Sequence, residues 1–136
     1  MAIYGIGAYY NRDVSSDFKN HGVIGTGWDI TEAPDLHEYF RILEPGDIVY
    51  LKSAAFGAQV TVKGVGLVEG PQLISGTYGS TRIEIGRRVQ WLNKSIFKLN
   101  KVRGKNNVRS NTLYRETHPD HITTIMRLVE QGLNRL

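Results

Sequence analysis

A Pro-Gly-Asp turn followed by two alternating strands constrains the fold of this chain more than any other feature. The turn, Glu44-Pro45-Gly46-Asp47, leads into the alternating segment 48–52, and its aspartate is expected to hydrogen-bond within the turn. A second alternating segment, 62–68, carries Gly64 and Gly66 on one face of a strand. Because glycines in a strand let another backbone or side chain come close, this pair predicts tight packing in a β-rich domain.

Length and composition are those of one folded domain. The 136 residues are 40% hydrophobic and 22% charged, so we expect a single domain over 1–136 with its own core. The chain has no cysteine, which excludes disulfides, thiolate zinc sites and a cysteine nucleophile and is typical of a cytoplasmic protein. The first residues lack the pattern of a signal peptide, and no apolar run is long enough to predict a membrane span.

The spacing of apolar residues predicts two main helices and five or six strands. One helix begins at Pro34, and the other covers about 118–135 behind the capping sequence Thr117-His118-Pro119-Asp120. Extended segments are predicted at 2–10, 22–28, 47–53, 58–68 and 81–92, with a short helical turn at 15–20, a loop at 70–80 and one short strand in 93–116. Since the strands follow one another without helical crossovers, we expect an α+β fold, a small β-barrel over about 2–102 flanked by the two helices.

The charge is unevenly distributed along the chain. Residues 1–81 carry five Lys/Arg against nine Asp/Glu, whereas residues 82–136 carry twelve against four. The basic half predicts a surface for phosphates or another polyanion, although a solvated loop would also explain it. Lysine and arginine are interleaved there with asparagine, and these residue types contact phosphates, sugars and base edges. The candidate phosphate contacts are Arg88, Lys94, Lys98, Lys101, Arg103, Lys105 and Arg109.

Several short motifs in residues 2–92 resemble those of the PUA-like superfamily, and most closely its EVE and YTH-like domains. They are the first strand Tyr4-Gly5-Ile6-Gly7-Ala8-Tyr9-Tyr10, the element Gly25-Thr26-Gly27-Trp28, the Pro45-Gly46-Asp47 turn with the helix before it, and the strands 65–68 and 89–92. The resemblance implies a PUA-like β-barrel that binds DNA or RNA and accepts a base, often a modified one, in an aromatic pocket. The first strand lacks the tryptophan common in EVE domains, and residues beyond 93 match nothing in the family.

The resemblance also implies which residues form the base pocket. By position these are Tyr10, Asn11, Trp28, Lys52 and Ser53. Trp28 follows a Gly-Thr-Gly sequence that would let the loop close over a stacked base, and a base on such a ring gains about 1–3 kcal/mol. The alternative for Trp28 is an ordinary core position at one end of the barrel.

The order of the strands predicts where this pocket lies relative to the charge. We expect the backbone of Gly5 or Gly7 to form its floor and the basic residues of 94–109 to lie within reach of its mouth. Arg88 is expected at the rim rather than Arg87, because Arg87 shares its strand face with the apolar Val89 and Trp91.

Other distinctive residues are better explained by structure than by chemistry. Trp91 is predicted to be a core residue. His118 and His121 have a spacing that could share a metal ion, but no third ligand is evident, so a polar helix N-terminus is the better interpretation and no metal or other cofactor is expected. His37 falls away from the apolar stripe of its helix and is expected to face solvent.

Two alternatives to base recognition remain open. The chain would also suit a stand-alone interaction or inhibitor protein of phage or mobile-element type, which binds a protein partner or a nucleotide signal. The second alternative is a small nucleoside-directed hydrolase, for which the related ASCH modules give a precedent. It would need Lys52 as base or nucleophile, with a pKa lowered by burial or by a neighbouring cation. No nucleophile motif of the Gly-x-Ser-x-Gly type occurs, so binding is favoured over catalysis.

Overall fold

The chain folds as an α+β domain of seven strands and three helices in the computed structural model, which describes residues 1–9, 12–53, 59–100 and 111–136. The strands are β1 (Ile3–Gly7), β2 (Val23–Thr26), β3 (Ile48–Ser53), β4 (Thr61–Tyr78), β5 (Thr81–Asn93), β6 (Phe97–Lys98) and β7 (Leu113–Arg115). The helices are α1 (Ser15–His21), α2 (Pro34–Ile42) and α3 (Pro119–Leu133). The predicted α+β class is confirmed, and α2 and α3 are the two predicted long helices.

The strands form one mixed sheet in the order β2-β5-β4-β3-β1-β7, and β6 pairs with the start of β4. β1 and β3 run parallel, with Ile3 opposite Ile48 and Gly7 opposite Lys52, whereas the other pairs are antiparallel. Within the described ranges, β2 and β7 are the two ends of this order, so the strand pairs do not close into the expected barrel. Both end strands are short, and each pairs with a single neighbour.

Helices cover both faces of the sheet. Phe18 of α1 and Phe40 of α2 are buried in the core on one side, which we call the α2 face. Ile125 of α3 is buried in the core on the other side, the α3 face. Burying one side chain of this size contributes roughly 1.5–3 kcal/mol, so the two cores together hold the helices on the sheet.

The strand β3 shows how the sequence serves both cores. Val49 and Leu51 point to the α2 face, whereas Ile48 and Tyr50 point to the α3 face. Successive side chains of a strand point to opposite faces, so a central strand covered on both sides is apolar at nearly every position.

The Pro-Gly-Asp turn ties the start of β3 to the start of β1. Asp47 accepts hydrogen bonds from the backbone N–H of Glu44 (2.8 Å) and of Ala2 (3.0 Å). Gly46 has a φ of +87°, a conformation that favours glycine. The expected hydrogen bond of the turn aspartate is confirmed, and one carboxylate thereby fixes the parallel register of two strands.

Gly64 and Gly66 make room for Trp91. A Cβ atom on Gly66 would lie 3.0 Å from the Trp91 ring and one on Gly64 would lie 3.6 Å from it. The ring packs against the core of the α2 face, and its Nε1 donates to the carbonyl of Phe18 (2.9 Å). The predicted tight packing at the glycine pair and the predicted core role of Trp91 are both confirmed.

The predicted loop at 70–80 was wrong, because β4 and β5 form one long hairpin whose turn lies at 79–80. The register between these strands shifts after Glu69 and again after Ile74. Gly70 and Gly76 have positive φ and lie at these irregularities. The glycines therefore bend a continuing strand instead of ending it.

The C-terminal helix begins as a capped helix, although the cap differs from the predicted one. His118 is the N-cap residue, and its Nδ1 accepts from the backbone N–H of Asp120 (3.2 Å). Before this helix the chain forms two short strands, β6 and β7, where one was predicted in 93–116. No helix within the described residues is long and apolar enough to cross a membrane.

Candidate ligand-binding cleft

A cleft of about 480 Å³ lies between α2 and the segment 111–113, which leads into β7. Trp28 and Tyr39 are its aromatic lining residues, and 53% of the Trp28 surface is exposed. The other described lining residues are Glu32, Ala33, Leu36, Asn111, Thr112 and Leu113. This volume is within the range of small-molecule sites and would hold a base or a nucleoside.

The backbone at Trp28 is fixed although its ring is exposed. The Trp28 N–H donates to Thr26 Oγ1 (3.2 Å), and the Trp28 carbonyl accepts from His37 Nε2 (2.7 Å). Asp29 closes the next turn by accepting from the N–H of Glu32 (2.9 Å). His37 is therefore buried, and the expectation that it faces solvent was wrong. Because the backbone at Trp28 is already ordered, ligand binding does not have to order this segment of the chain.

Both walls of the cleft are attached to the same core. On one side, Leu36 of α2 packs against the core of the α2 face. On the other, Leu113 is buried in that core, and the carbonyl of Thr112 accepts from the N–H of Gly7 (2.7 Å). The separation of the walls is therefore set by packing and by a backbone hydrogen bond.

The described lining of the cleft contains one acidic residue, Glu32. Asp35 and Glu38 lie along α2 and line a separate, smaller hollow with Tyr39 and Ile42. Hydrogen bonds from the Thr31 hydroxyl and from the Glu32 N–H lower the pKa of Asp29, so this nearby carboxylate is ionised at neutral pH. None of the described lining residues is basic.

Lys52 and Ser53, both predicted pocket residues, do not line the cleft in the described structure. Lys52 is buried on the α3 face, where its Nζ lies 5.5 Å from the centre of the Tyr114 ring. Burial lowers the pKa of Lys52 to about 8. Ser53 is half-buried at the end of β3, opposite Thr61. The predicted residues Tyr10 and Asn11 lie outside the described residues.

The glycines of β1 do not form the floor of the cleft. A Cβ atom on Gly5 would lie 2.5 Å from Tyr114 and 2.8 Å from Tyr50, two buried residues of the α3 face. The corresponding atom on Gly7 would lie 3.8 Å from the Lys52 side chain. Alternation along β1 therefore turns both glycines away from Trp28, and the predicted glycine floor was wrong.

The predicted phosphate contacts are at the surface but not in the cleft. Arg88, Lys94 and Lys98 are exposed, and none of them is a lining residue. Arg87 is buried and donates to the carbonyls of Phe40, Leu43 and Gly70. Arg88 is exposed, but it does not line the cleft, so its predicted place at the rim is not borne out. Four further predicted contacts lie outside the described residues, namely Lys101, Arg103, Lys105 and Arg109.

The fold also assembles a lysine group that the sequence did not reveal. Lys19 of α1 lies close to Lys63 and Lys94, and we call these three residues the lysine group. Burial lowers the pKa of Lys19; Asp13 opposes this shift, whereas Lys63 and Lys94 add to it. Lys63 and Asp13 form an ion pair. Two of the lysines come from the acidic half of the chain, so no run of charge in the sequence pointed to them.

The α3 face holds a second concentration of polar side chains, which we call the buried polar cluster: Tyr50, Tyr114, Glu116 and His121. The Tyr50 hydroxyl donates to Glu116 Oε1 (2.8 Å), so Tyr114 donates to Tyr50 across the 2.6 Å contact of the two hydroxyls. Burial, with added contributions from Tyr114 and Glu116, raises the pKa of Tyr50 and keeps it protonated. This cluster was not predicted.

His121 completes the buried polar cluster through both of its ring nitrogens. Its Nδ1 lies 2.9 Å from Glu116 Oε1, and its Nε2 lies 2.7 Å from the carbonyl oxygen of Asn100. Both ring nitrogens face acceptors, and Glu116 Oε2 accepts two backbone N–H groups, so the geometry fits an imidazolium paired with a carboxylate. His118 and His121 lie at the N-terminus of α3, as predicted, but His121 points into the core and is only 1% exposed.

The buried polar cluster is closed, whereas the cleft is open. Its histidine and glutamate side chains are almost fully buried, so a substrate cannot reach them without displacing α3. In the described ranges, no group of three or more acidic or histidine side chains is placed to hold a metal ion. Of the cleft and the cluster, the cleft is therefore the one that is open to a ligand.

Comparison with known proteins does not identify a family for this chain. No protein-family model matches the chain, and a search of curated proteins finds no match.

Proposed function

We propose that the chain is a nucleic-acid-binding module of the PUA-like, EVE-type class, whose cleft accepts a base that stacks on Trp28. The observation that carries the proposal is the exposed Trp28 ring on a fixed backbone in a cleft of nucleoside size. Stacking of a base on an aromatic side chain contributes about 1–3 kcal/mol. The finer assignment to the PUA-like superfamily belongs to the same proposal and rests on the sequence motifs.

Phosphates would bind outside the cleft. Its acidic lining repels them, whereas the lysine group and the exposed Arg88 and Lys98 supply positive charge elsewhere on the surface. A base would then enter the cleft while the backbone of the strand stays on the basic surface. This division of roles matches nucleic-acid recognition in general, in which phosphate contacts position the ligand and base contacts specify it.

The test is an electrophoretic mobility shift assay with single-stranded and duplex DNA and RNA, with and without base methylation, at low salt. Trp28→Ala should weaken binding about 10- to 100-fold. Ile96→Ala, which removes a similarly exposed apolar side chain outside the cleft, is the matched control and should have no effect. Absence of binding to every oligonucleotide at low salt would refute the proposal.

A protein partner is the second candidate function, and the exposed apolar residues beside the cleft favour it. Ile30 and Ile42 are each more than half exposed, close in sequence to Trp28 and Tyr39. Exposed apolar patches of this kind often mark protein interaction sites. Ile42→Asp should abolish capture of a stoichiometric partner from the source cell and leave oligonucleotide binding unchanged; the reverse result would exclude this candidate.

Nucleoside hydrolysis is the third candidate and has the weakest support, because Lys52 is buried on the α3 face and does not line the cleft. A pKa of about 8 suits a lysine that acts as base or nucleophile. The candidate requires that Lys52→Met abolish release of free base from modified nucleosides. If the wild-type protein releases none, this candidate is excluded.

A further inference from the structure

We propose that the cleft selects a positively charged base, such as an N1-methylated adenine, over neutral bases. The inference rests on the proposed function and adds the chemical class of the ligand. It is carried by two properties that occur together in the cleft, an exposed tryptophan ring and an acidic lining without a basic residue among the described positions.

Glu32, the carboxylate that lines the cleft, has no ion-pair partner among the described residues. In the described part of the chain, neither Glu32 nor Asp35 forms an ion pair, and only Glu38 is paired, with Arg41 (3.1 Å). A neutral base would bring no charge to offset the desolvation of Glu32, whereas a cationic base would pair with it.

The N-terminus of α2 brings a partial positive charge to the cleft, and nearby carboxylates oppose it. α2 begins beside Ala33, and its dipole is equivalent to about half a positive unit charge at that end. Asp35 lies in the first turn and opposes that partial charge. Glu32 lines the cleft next to this helix end and adds a full negative charge there.

The aromatic residues favour the same ligand. Tryptophan has the strongest attraction for a cation above its ring, and a planar cation also gains the stacking energy of an ordinary base. Trp28 and Tyr39 both present exposed ring surface, 53% and 43% of each residue. Methylation at a ring nitrogen gives a base a positive charge without changing its planarity, so such a base satisfies the ring and the carboxylate together.

The test compares two isomeric nucleosides that differ in charge. 1-Methyladenosine is cationic at neutral pH, whereas N6-methyladenosine is neutral, and neither carries a phosphate. In calorimetric titrations of the whole protein, the cationic isomer should bind about 10-fold more tightly. Glu32→Gln should remove most of that preference, because the neutral amide cannot pair with the charge of the cationic isomer. Glu130→Gln, at an exposed position of α3, is the matched control and should leave the preference intact.

The outcomes separate this inference from the proposed function. Equal, Trp28-dependent binding of the two isomers would overturn the charge preference and leave base recognition standing. Failure of both isomers to bind would overturn the inference, and base recognition would then be judged by the effect of Trp28→Ala on oligonucleotides. If tetramethylammonium binds as tightly as 1-methyladenosine, the ligand is an alkylammonium group and not a base, which would also overturn the inference.

Discussion

The buried polar cluster and the cleft are built from the same kinds of residue and differ in access to water. Each combines two aromatic side chains with a glutamate. In the buried polar cluster, Glu116 accepts from Tyr50, His121 and two backbone N–H groups. In the cleft, Glu32 has no ion-pair partner among the described residues, and the Trp28 ring lies at the surface.

This difference shows where function can reside. A buried polar group with every partner in place stabilises the fold, and removing one partner leaves the others desolvated and unpaired. An exposed ring and an unpaired carboxylate contribute little to the fold and remain available to a ligand. Disruption of the buried polar cluster should therefore lower the stability of the fold, and disruption of the cleft should weaken ligand binding.

The largest effect is expected at Glu116. Glu116→Gln removes the charge that His121 faces and should lower the free energy of unfolding by about 3–5 kcal/mol, the range for breaking a buried ion pair. Urea unfolding at pH 7 measures this change.

Glu130→Gln is the control for Glu116, because it makes the same chemical change at an exposed position of α3. It should change the stability by less than about 0.5 kcal/mol. A loss below about 1 kcal/mol in Glu116→Gln would mean that the cluster holds no ion pair, and the contrast with the cleft would disappear.

The next largest effect is expected at Gly5, which packs against Tyr50 and Tyr114. Gly5→Ala would place a Cβ atom 2.5 Å from Tyr114, so the Tyr50–Tyr114 pair must shift, at an expected cost of about 2–3 kcal/mol. Gly7→Ala, two residues along the same strand face, meets described atoms only at 3.8 Å and should be tolerated. Thermal unfolding of the two variants measures the difference; equal melting temperatures would show that the tyrosine pair is loosely packed.

Local signals in the sequence were enough to predict the helices and the central strands. α2 and α3 follow from apolar spacing behind Pro34 and Pro119, and β3 follows from the Pro-Gly-Asp turn. The segment 70–80 was misread because glycines that bend a strand have the composition of a loop. A bulge is visible only when the partner strand is known.

The sites were harder to predict, because they depend on distant parts of the chain. Trp28 lines the cleft, and its role in a base pocket stays a prediction, whereas Lys52, predicted for the same pocket, lies on the α3 face. His37 and His121 are buried next to hydrogen-bond partners, the Trp28 carbonyl and the Glu116 carboxylate. No local sequence pattern specifies these partners. The lysine group combines α1, β4 and the segment after β5, which only the folded sheet brings together.

Lys52 should destabilise the fold at neutral pH. Its pKa falls from an ordinary 10.5 to about 8, so between these values the unfolded chain binds the proton more tightly than the folded chain. Lys52→Met should therefore raise the free energy of unfolding at pH 7 by about 1–3 kcal/mol, and this gain should shrink as the pH rises from 8 to 10.5. Chemical denaturation across that range measures it.

Lys98→Met, at an exposed lysine, is the control for Lys52 and should show neither the gain nor its pH dependence. A loss of stability in Lys52→Met would mean that the ammonium group is well stabilised on the α3 face. Lys52 would then belong with the satisfied groups of the buried polar cluster.

The smallest effect is expected at Asp13, which pairs with Lys63 at the surface. Its carboxylate has a partner, as in the buried polar cluster, but it is exposed to water, as in the cleft. Burial would raise the pKa of Asp13, but hydrogen bonds from Lys63 and Ser15 outweigh this and hold it at about 2. The ion pair therefore stabilises the fold above the ordinary pKa of 3.8, and this contribution is lost as the pH falls towards 2. Since 46% of the Asp13 side chain is exposed, Asp13→Asn should cost only about 0.5–1 kcal/mol at pH 7 and nothing below pH 2.

The same change leaves Lys63 unbalanced in the lysine group, so the salt dependence of oligonucleotide binding should steepen by about one phosphate contact. An unchanged salt dependence would show that the lysine group does not contact the nucleic acid and that phosphates bind elsewhere.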